Sequence, residues 1–175
     1  MKLFYFFLLI FLSGCSLKTI PIKGTYLKTP YIITSDKNFE QVWDKLIDLF
    51  AQKGLPIKII DKNSGLIISE KLILPITIEL KSGQLKNPSA FIVVAQVYDP
   101  GSRKYYPIGR YYNSIFGVSG EWNVRIKKND DKTIINVNLV NVTYEYELAH
   151  VPKQILLKEY QSTGVFENLI ADAIK

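Results

Sequence analysis

Apolar side chains at Phe39, Val42, Trp43, Leu46, Ile47 and Phe50 recur every three or four residues, with Glu40, Asp44, Lys45, Asp48 and Lys53 between them. At 3.6 residues per turn these positions share one stripe, so the pattern predicts an amphipathic helix over about 38–53. Ser35-Asp36-Lys37-Asn38 supplies N-cap residue types before it, and Gly54 follows it, where a left-handed C-cap favours glycine. A second stripe, Phe166, Leu169, Ile170, Ala173 and Ile174, follows Ser162-Thr163-Gly164 and predicts a capped helix at the end of the sequence.

Between the stripes the period falls to two. Tyr31–Thr34 reads as a short strand, and Pro56–Ile60 with Leu66–Ser69 reads as a hairpin around the turn formers of Asp61–Gly65. Ile76–Leu80 and Phe91–Tyr98 are further strands, connected through Lys81-Ser82-Gly83 and Asn87-Pro88-Ser89. Trp122, Val124 and Ile126 alternate with Asn123, Arg125 and Lys127, and after a turn at 129–132 a long strand runs from Thr133 to about Leu148. Its apolar phase flips between Leu139 and Val140, which a β-bulge or a sharp coil near there would explain. Residues 152–160 fit a strand or a short helix. The expected fold class is α+β, a curved antiparallel sheet packed against two amphipathic helices on its concave side.

The first residues obey neither period. Lys2 precedes a continuous apolar run from Leu3 to Leu12, and the small residues Ser13 and Gly14 lead into Cys15, the only cysteine of the sequence. A charged start, an apolar run and a small-residue exit describe a secretory signal, and the run is half the roughly 20 residues that a bilayer-spanning helix needs. Leu12-Ser13-Gly14-Cys15 resembles the bacterial lipobox, where the chain is cut before a cysteine bearing diacylglycerol on its sulfur. At about 0.8 kcal/mol per buried methylene, two or three acyl chains hold a domain at a membrane stably. The expected organisation is a signal peptide over 1–14, a lipid-anchored tether over 15–30 and one α+β domain over 31–175. After Cys15, Ser16-Leu17-Lys18-Thr19-Ile20 has neither the aspartate of an inner-membrane retention signal nor the acidic run of a surface-export signal. The expected location is the outer membrane, lipid-anchored and facing the periplasm.

The net charge of +6 falls by one when Lys2 leaves with the signal, and the lysines are scattered as on an ordinary solvated surface. The expected compartment excludes nucleic acid as a partner. It leaves the membrane, held through lipidated Cys15, and an envelope protein. A single cysteine consumed as an anchor leaves no disulfide.

Three segments carry a family resemblance. They are "FEQVWDKLIDLFAQK" with Val42-Trp43, "GLPIKIIDKNSGLIISEK" with Asp61 and Ser64-Gly65-Leu66-Ile67, and the closing "STGVFENLIADAIK" from Ser162-Thr163-Gly164. Together they resemble the helix-grip-like domains of Gram-negative envelope lipoproteins, including the lipoprotein subunit of the outer-membrane β-barrel assembly machinery. The resemblance implies a fold and a location. That subunit has two such domains and a long unstructured segment where this sequence has room for one, so its partner is not carried over.

Catalytic groups are sparse. His150 is the sole histidine, no Cys/His cluster suits zinc, and no serine has nucleophile-elbow glycine spacing. Glu145 and Glu147 share a strand face, which suits a solvated surface better than a glycosidase cleft. Gly101, Gly109, Gly117 and Gly120 are too far apart to cradle a phosphate. No metal, cofactor or enzymatic activity is expected. The stretch 98–122 stands out: Arg103 and Arg110, two of the three arginines, sit among Tyr105, Tyr106, Tyr111, Tyr112, Phe116 and Trp122. Tyr and Arg anchor interfaces, so Arg103, Tyr105, Tyr106, Arg110, Tyr111 and Tyr112 form the candidate interface. Packing of the same tyrosines on the sheet is the other reading. The function expected is a non-enzymatic, lipid-anchored interaction or scaffold module of the cell envelope. The alternative is a carrier or sensor binding a small apolar ligand between sheet and helix.

Overall fold

The computed structural model describes residues 18–27, 30–99, 101–108, 115–148 and 151–175. In chain order the described elements are β1 (Thr19–Ile20), β2 (Tyr31–Ser35), α1 (Phe39–Gln52), β3 (Ile57–Asp61), β4 (Leu66–Ser69), β5 (Leu72–Ile73) and β6 (Ile76–Thr77). They continue through β7 (Ile92–Val94), β8 (Gln96–Asp99), β9 (Lys104–Pro107), β10 (Ile115–Asn129), β11 (Lys132–Leu148), β12 (Val151–Leu156), β13 (Tyr160–Ser162) and α2 (Val165–Ala173).

Helix α1 begins and ends where its residues dictate. The Asn38 side chain accepts from the Gln41 N–H at 2.9 Å, and the Gln41 side chain accepts from the Asn38 N–H at 3.2 Å, a reciprocal capping box. At the other end Gly54 takes φ +62°. Its N–H donates to Ala51 O at 3.1 Å and that of Leu55 to Phe50 O at 2.9 Å, which satisfies carbonyls the helix leaves open. Val42, Trp43, Leu46, Leu49 and Phe50 are buried.

Strands β10 and β11 form a long antiparallel hairpin closed by the Asn129–Lys132 pair. It is the middle of a seven-stranded antiparallel sheet. β4 and β5 pair with β10, β3 pairs with β4, and β2 and β12 pair with the first and second halves of β11. The pairing does not close into a barrel among the described residues. The expected bulge is present. Leu139 and Val142 are both buried although three residues apart. Between them Asn141 adopts φ +54°, and the pairing steps from Glu121↔Val140 to Ser119↔Thr143, setting two residues of β11 against Gly120. Asparagine tolerates this left-handed conformation better than most residues.

Three regions differ from the expectation, and one left between two readings is decided. Ile76–Leu80 and Phe91–Tyr98 are not continuous strands. The second breaks at Ala95, whose carbonyl accepts from Ile108 and whose N–H donates to Glu159 O, so 92–94 and 96–99 join different sheets. The pairing of β6 with β7 is parallel, in a small sheet with β13. Residues 151–156 and 160–162 resolve the ambiguous region as strands. The N-cap of α2 is Gly164 at φ +89°, with no side-chain cap. A Cβ there would lie 2.7 Å from Leu27 Cδ1, so close packing as well as conformation calls for glycine.

The third difference is at the tether. Residues 18–27 lie within the stretch read as a lipid-anchored tether, yet β1 pairs with β8 and Leu27 bridges to Ser162. Backbone hydrogen bonds at a sheet edge need no apolar period, which is why the segment looks like a linker in sequence.

Both helices cover one apolar face of the large sheet. Trp122 stacks on Phe166 with ring centroids 4.0 Å apart, Phe50 meets Phe166 edge-on at 6.3 Å, and Phe91 meets Trp122 edge-on at 6.2 Å. Val124, Ile126, Ile135, Val137, Ile170 and Ile174 complete the same buried cluster.

Candidate functional site

The described candidate residues gather on the three-stranded sheet β1–β8–β9. β8 and β9 form an antiparallel hairpin, Gln96↔Pro107 to Asp99↔Lys104. Its turn is built by Asp99. One carboxylate oxygen accepts from Gly101 N–H at 2.9 Å, and the other accepts from Ser102 N–H at 3.3 Å and Ser102 Oγ at 2.6 Å. These bonds hold the Asp99 carboxyl below the usual range, the Ser102 hydroxyl contributing most. Arg103 then takes φ +55°, unusual outside glycine, and presents its side chain at the exposed turn beside exposed Lys104.

Tyr98 and Tyr105 lie opposite each other across the hairpin, ring centroids 5.1 Å apart. Tyr106 pairs with Val97, which is buried, so the two tyrosines of β9 point to opposite faces and both are half-buried. Arg103 is fully available, whereas Tyr105 and Tyr106 divide their surface between packing and solvent. Trp122, at the end of the same sequence stretch, belongs to the core with 0% exposure. Cys15, Arg110, Tyr111, Tyr112 and His150 lie outside the described residues.

The other edge of the hairpin carries the chain that follows Cys15. Thr19 pairs with Val97 and Ile20 with Gln96, and Tyr98 N–H donates to Lys18 O at 2.9 Å. A few residues on, Glu79 fastens the same segment. Its carboxylate accepts from Lys23 N–H at 2.8 Å, Gly24 N–H at 2.8 Å and Tyr26 Oη at 2.9 Å. Burial alone would raise the Glu79 pKa, but these donors outweigh it and the net shift is downward. Tyr26 is pushed up to about 12, by burial first and then by its bond to that carboxylate. A Cβ at Gly24 would sit 2.6 Å from Glu79 Oε1, so a side chain there would have to displace the carboxylate. Residues 18–27 are thus a strap laid across the domain. Glu79 carries no sequence signal, being one polar position among Ile76, Thr77, Ile78 and Leu80.

Beneath the strap opens a cavity of about 530 Å³, lined by Ile20, Ile22, Ile78, Leu80, Val94 and Tyr105 among others. Lys23, Glu79 and Lys81 stand at its polar side. On the large sheet, Glu145 accepts from Lys71 at 2.9 Å and Gln154 at 2.6 Å, so it is an ion-paired surface residue. Its lowered pKa follows first from Lys71. Among the described residues no group of three or more His, Cys, Asp or Glu side chains is placed to hold a metal ion. No described helix is long and apolar enough to cross a membrane. The arrangement places exposed Arg103 and Lys104 and half-buried Tyr98, Tyr105 and Tyr106 beside the strap.

No protein-family model matches the sequence, and no curated protein matches it.

Proposed function

We propose that this chain is a lipid-anchored interaction module of the bacterial envelope, attached through Cys15 to the outer membrane and facing the periplasm. It works by binding an envelope protein and performs no catalysis. The observation that carries this reading is Leu12-Ser13-Gly14-Cys15 directly after the apolar run Leu3–Leu12. The strap supports it. A chain already bonded to β8 at Lys18, three positions after Cys15, holds the domain close to an anchor there rather than on a long leash. The fold is read as helix-grip-like, with the sheet curved around α1 and α2. The bulge at Asn141 supports this, because bulges bend and further twist the strands that contain them.

The cavity under the strap favours a second reading, a carrier of a small apolar ligand. Such a ligand would sit under Ile20 and Ile22 and not between sheet and helix, where Trp122 and Phe166 stack. Cells fed a tagged fatty acid test the main reading. The wild-type chain should take up the tag and Cys15→Ala should not; equal labelling of both would remove Cys15 as the attachment point. Native mass spectrometry of the purified protein tests the second, which a chain free of any bound small molecule would contradict.

A further inference from the structure

We infer that the β8–β9 turn is a second membrane contact, with Arg103, Lys104 and Lys18 binding anionic phospholipid headgroups. The inference rests on lipidation of Cys15 and adds an orientation to it. β1 runs antiparallel to β8, so the end of β1 nearest Cys15 lies at the turn end of the hairpin. Lys18 is level with Tyr98 through their 2.9 Å backbone bond. Only Ser16 and Leu17 separate Lys18 from Cys15, a reach of at most about 10 Å. β8 ends at Asp99, which pairs with Lys104, so the turn residues Gly101, Ser102 and Arg103 stand about two residue steps, roughly 7 Å, beyond Tyr98 and within the span that the segment from Cys15 to Lys18 can cover.

The chemistry at that end suits a lipid surface. Lys18, Arg103 and Lys104 are exposed, and none makes an ion pair among the described residues. Asp99, the acid beside them, is already occupied by the turn's own donors. Tyr98 and Tyr105 stand behind the cations, with the apolar body and polar tip of residues that collect at membrane interfaces. Each cation close to an anionic leaflet favours contact by about fivefold, so Arg103 and Lys104 together contribute roughly 25-fold.

The test uses the full lipidated chain, its intact mass first measured, with a nitroxide on Ser102→Cys and a control nitroxide on Ser64→Cys in the β3–β4 turn. The protein is reconstituted in vesicles of phosphatidylethanolamine with or without phosphatidylglycerol, and access of a water-soluble nickel chelate to each label is recorded. The expected result is that phosphatidylglycerol shields the label at 102 but not at 64, and that R103A/K104A restores access at 102. If a chain of lipidated mass leaves both labels equally open, the contact is overturned while the anchor stands. Shielding at 102 that occurs only in native envelopes and not in vesicles also overturns it, in favour of a protein partner at the turn. A mass showing unmodified Cys15 overturns both the anchor and the contact.

Discussion

Glu167 stands in the first turn of α2 with 0% exposure, and neither carboxylate oxygen has a hydrogen-bond partner of good geometry. Burial raises its pKa, and the nearby Ser162 hydroxyl offsets this only in part. The folded state therefore holds the proton to higher pH than the unfolded state does. Stability is greatest below the ordinary glutamate range and falls as pH rises from that range to the raised folded value. Denaturant titrations over a pH series should show this loss in the wild type, and Glu167→Gln should flatten it. Parallel pH profiles would place the charge elsewhere. The sequence gives no warning here, because a glutamate three residues after Gly164 looks like a solvated helix-start acid.

Gly65 is a legible residue by comparison. It sits among turn formers, as hairpin glycines do, and adopts φ +69°. What the sequence does not reveal is the close approach of the next strand: a Cβ would lie 2.1 Å from Ile126 O, while Gly65 O accepts from Ile126 N–H at 2.8 Å. Gly65→Ala should cost about 1–3 kcal/mol from the left-handed backbone alone, with the displaced carbonyl adding to it. Thermal unfolding should show a clear fall in Tm, and an unchanged Tm would refute the contact.

At the scale of elements, the long periodic segments were readable and the short ones were not. α1 has six apolar positions in one stripe with both caps in the sequence, and β10–β11 alternate over enough residues to locate even the bulge. β1, β5 and β6 have two residues each, too few for any period to register. Their pairing depends on backbone groups brought together by the rest of the fold. The strap is the clearest case, since it has no apolar period of its own while Glu79, more than fifty positions later, accepts from the backbone of Lys23 and Gly24. Glu79→Gln replaces a carboxylate oxygen with an NH₂ group facing donors, and should loosen the strap by about 1 kcal/mol. Hydrogen exchange should quicken at Lys23 and Gly24 without a matching change in α1. Because the Glu79 pKa is lowered, the strap's stabilisation is present above the ordinary carboxylate range and is lost as pH falls through the folded value. Exchange that is equally slow in the variant and at acid pH would contradict this role.

For the molecule as a whole, the α+β class followed from counting amphipathic helices against alternating strands. The division of the strands into one large sheet and two small ones did not, because it turns on the break at Ala95 and the parallel pairing of Ile76–Thr77. The candidate interface was legible as composition, Arg and Tyr crowded into 98–122, but composition could not separate exposed Arg103 from buried Trp122. Nor could it bring that hairpin beside the residues following Cys15, a placement on which the proposed anchor and interface both rest. The attachment at Cys15 is best tested by the intact mass of the chain purified from membranes. The expected value is that of a chain starting at Cys15 and carrying diacylglycerol with a further acyl group. A mass that retains residues 1–14, or that matches an unmodified Cys15, would contradict the lipid-anchored reading.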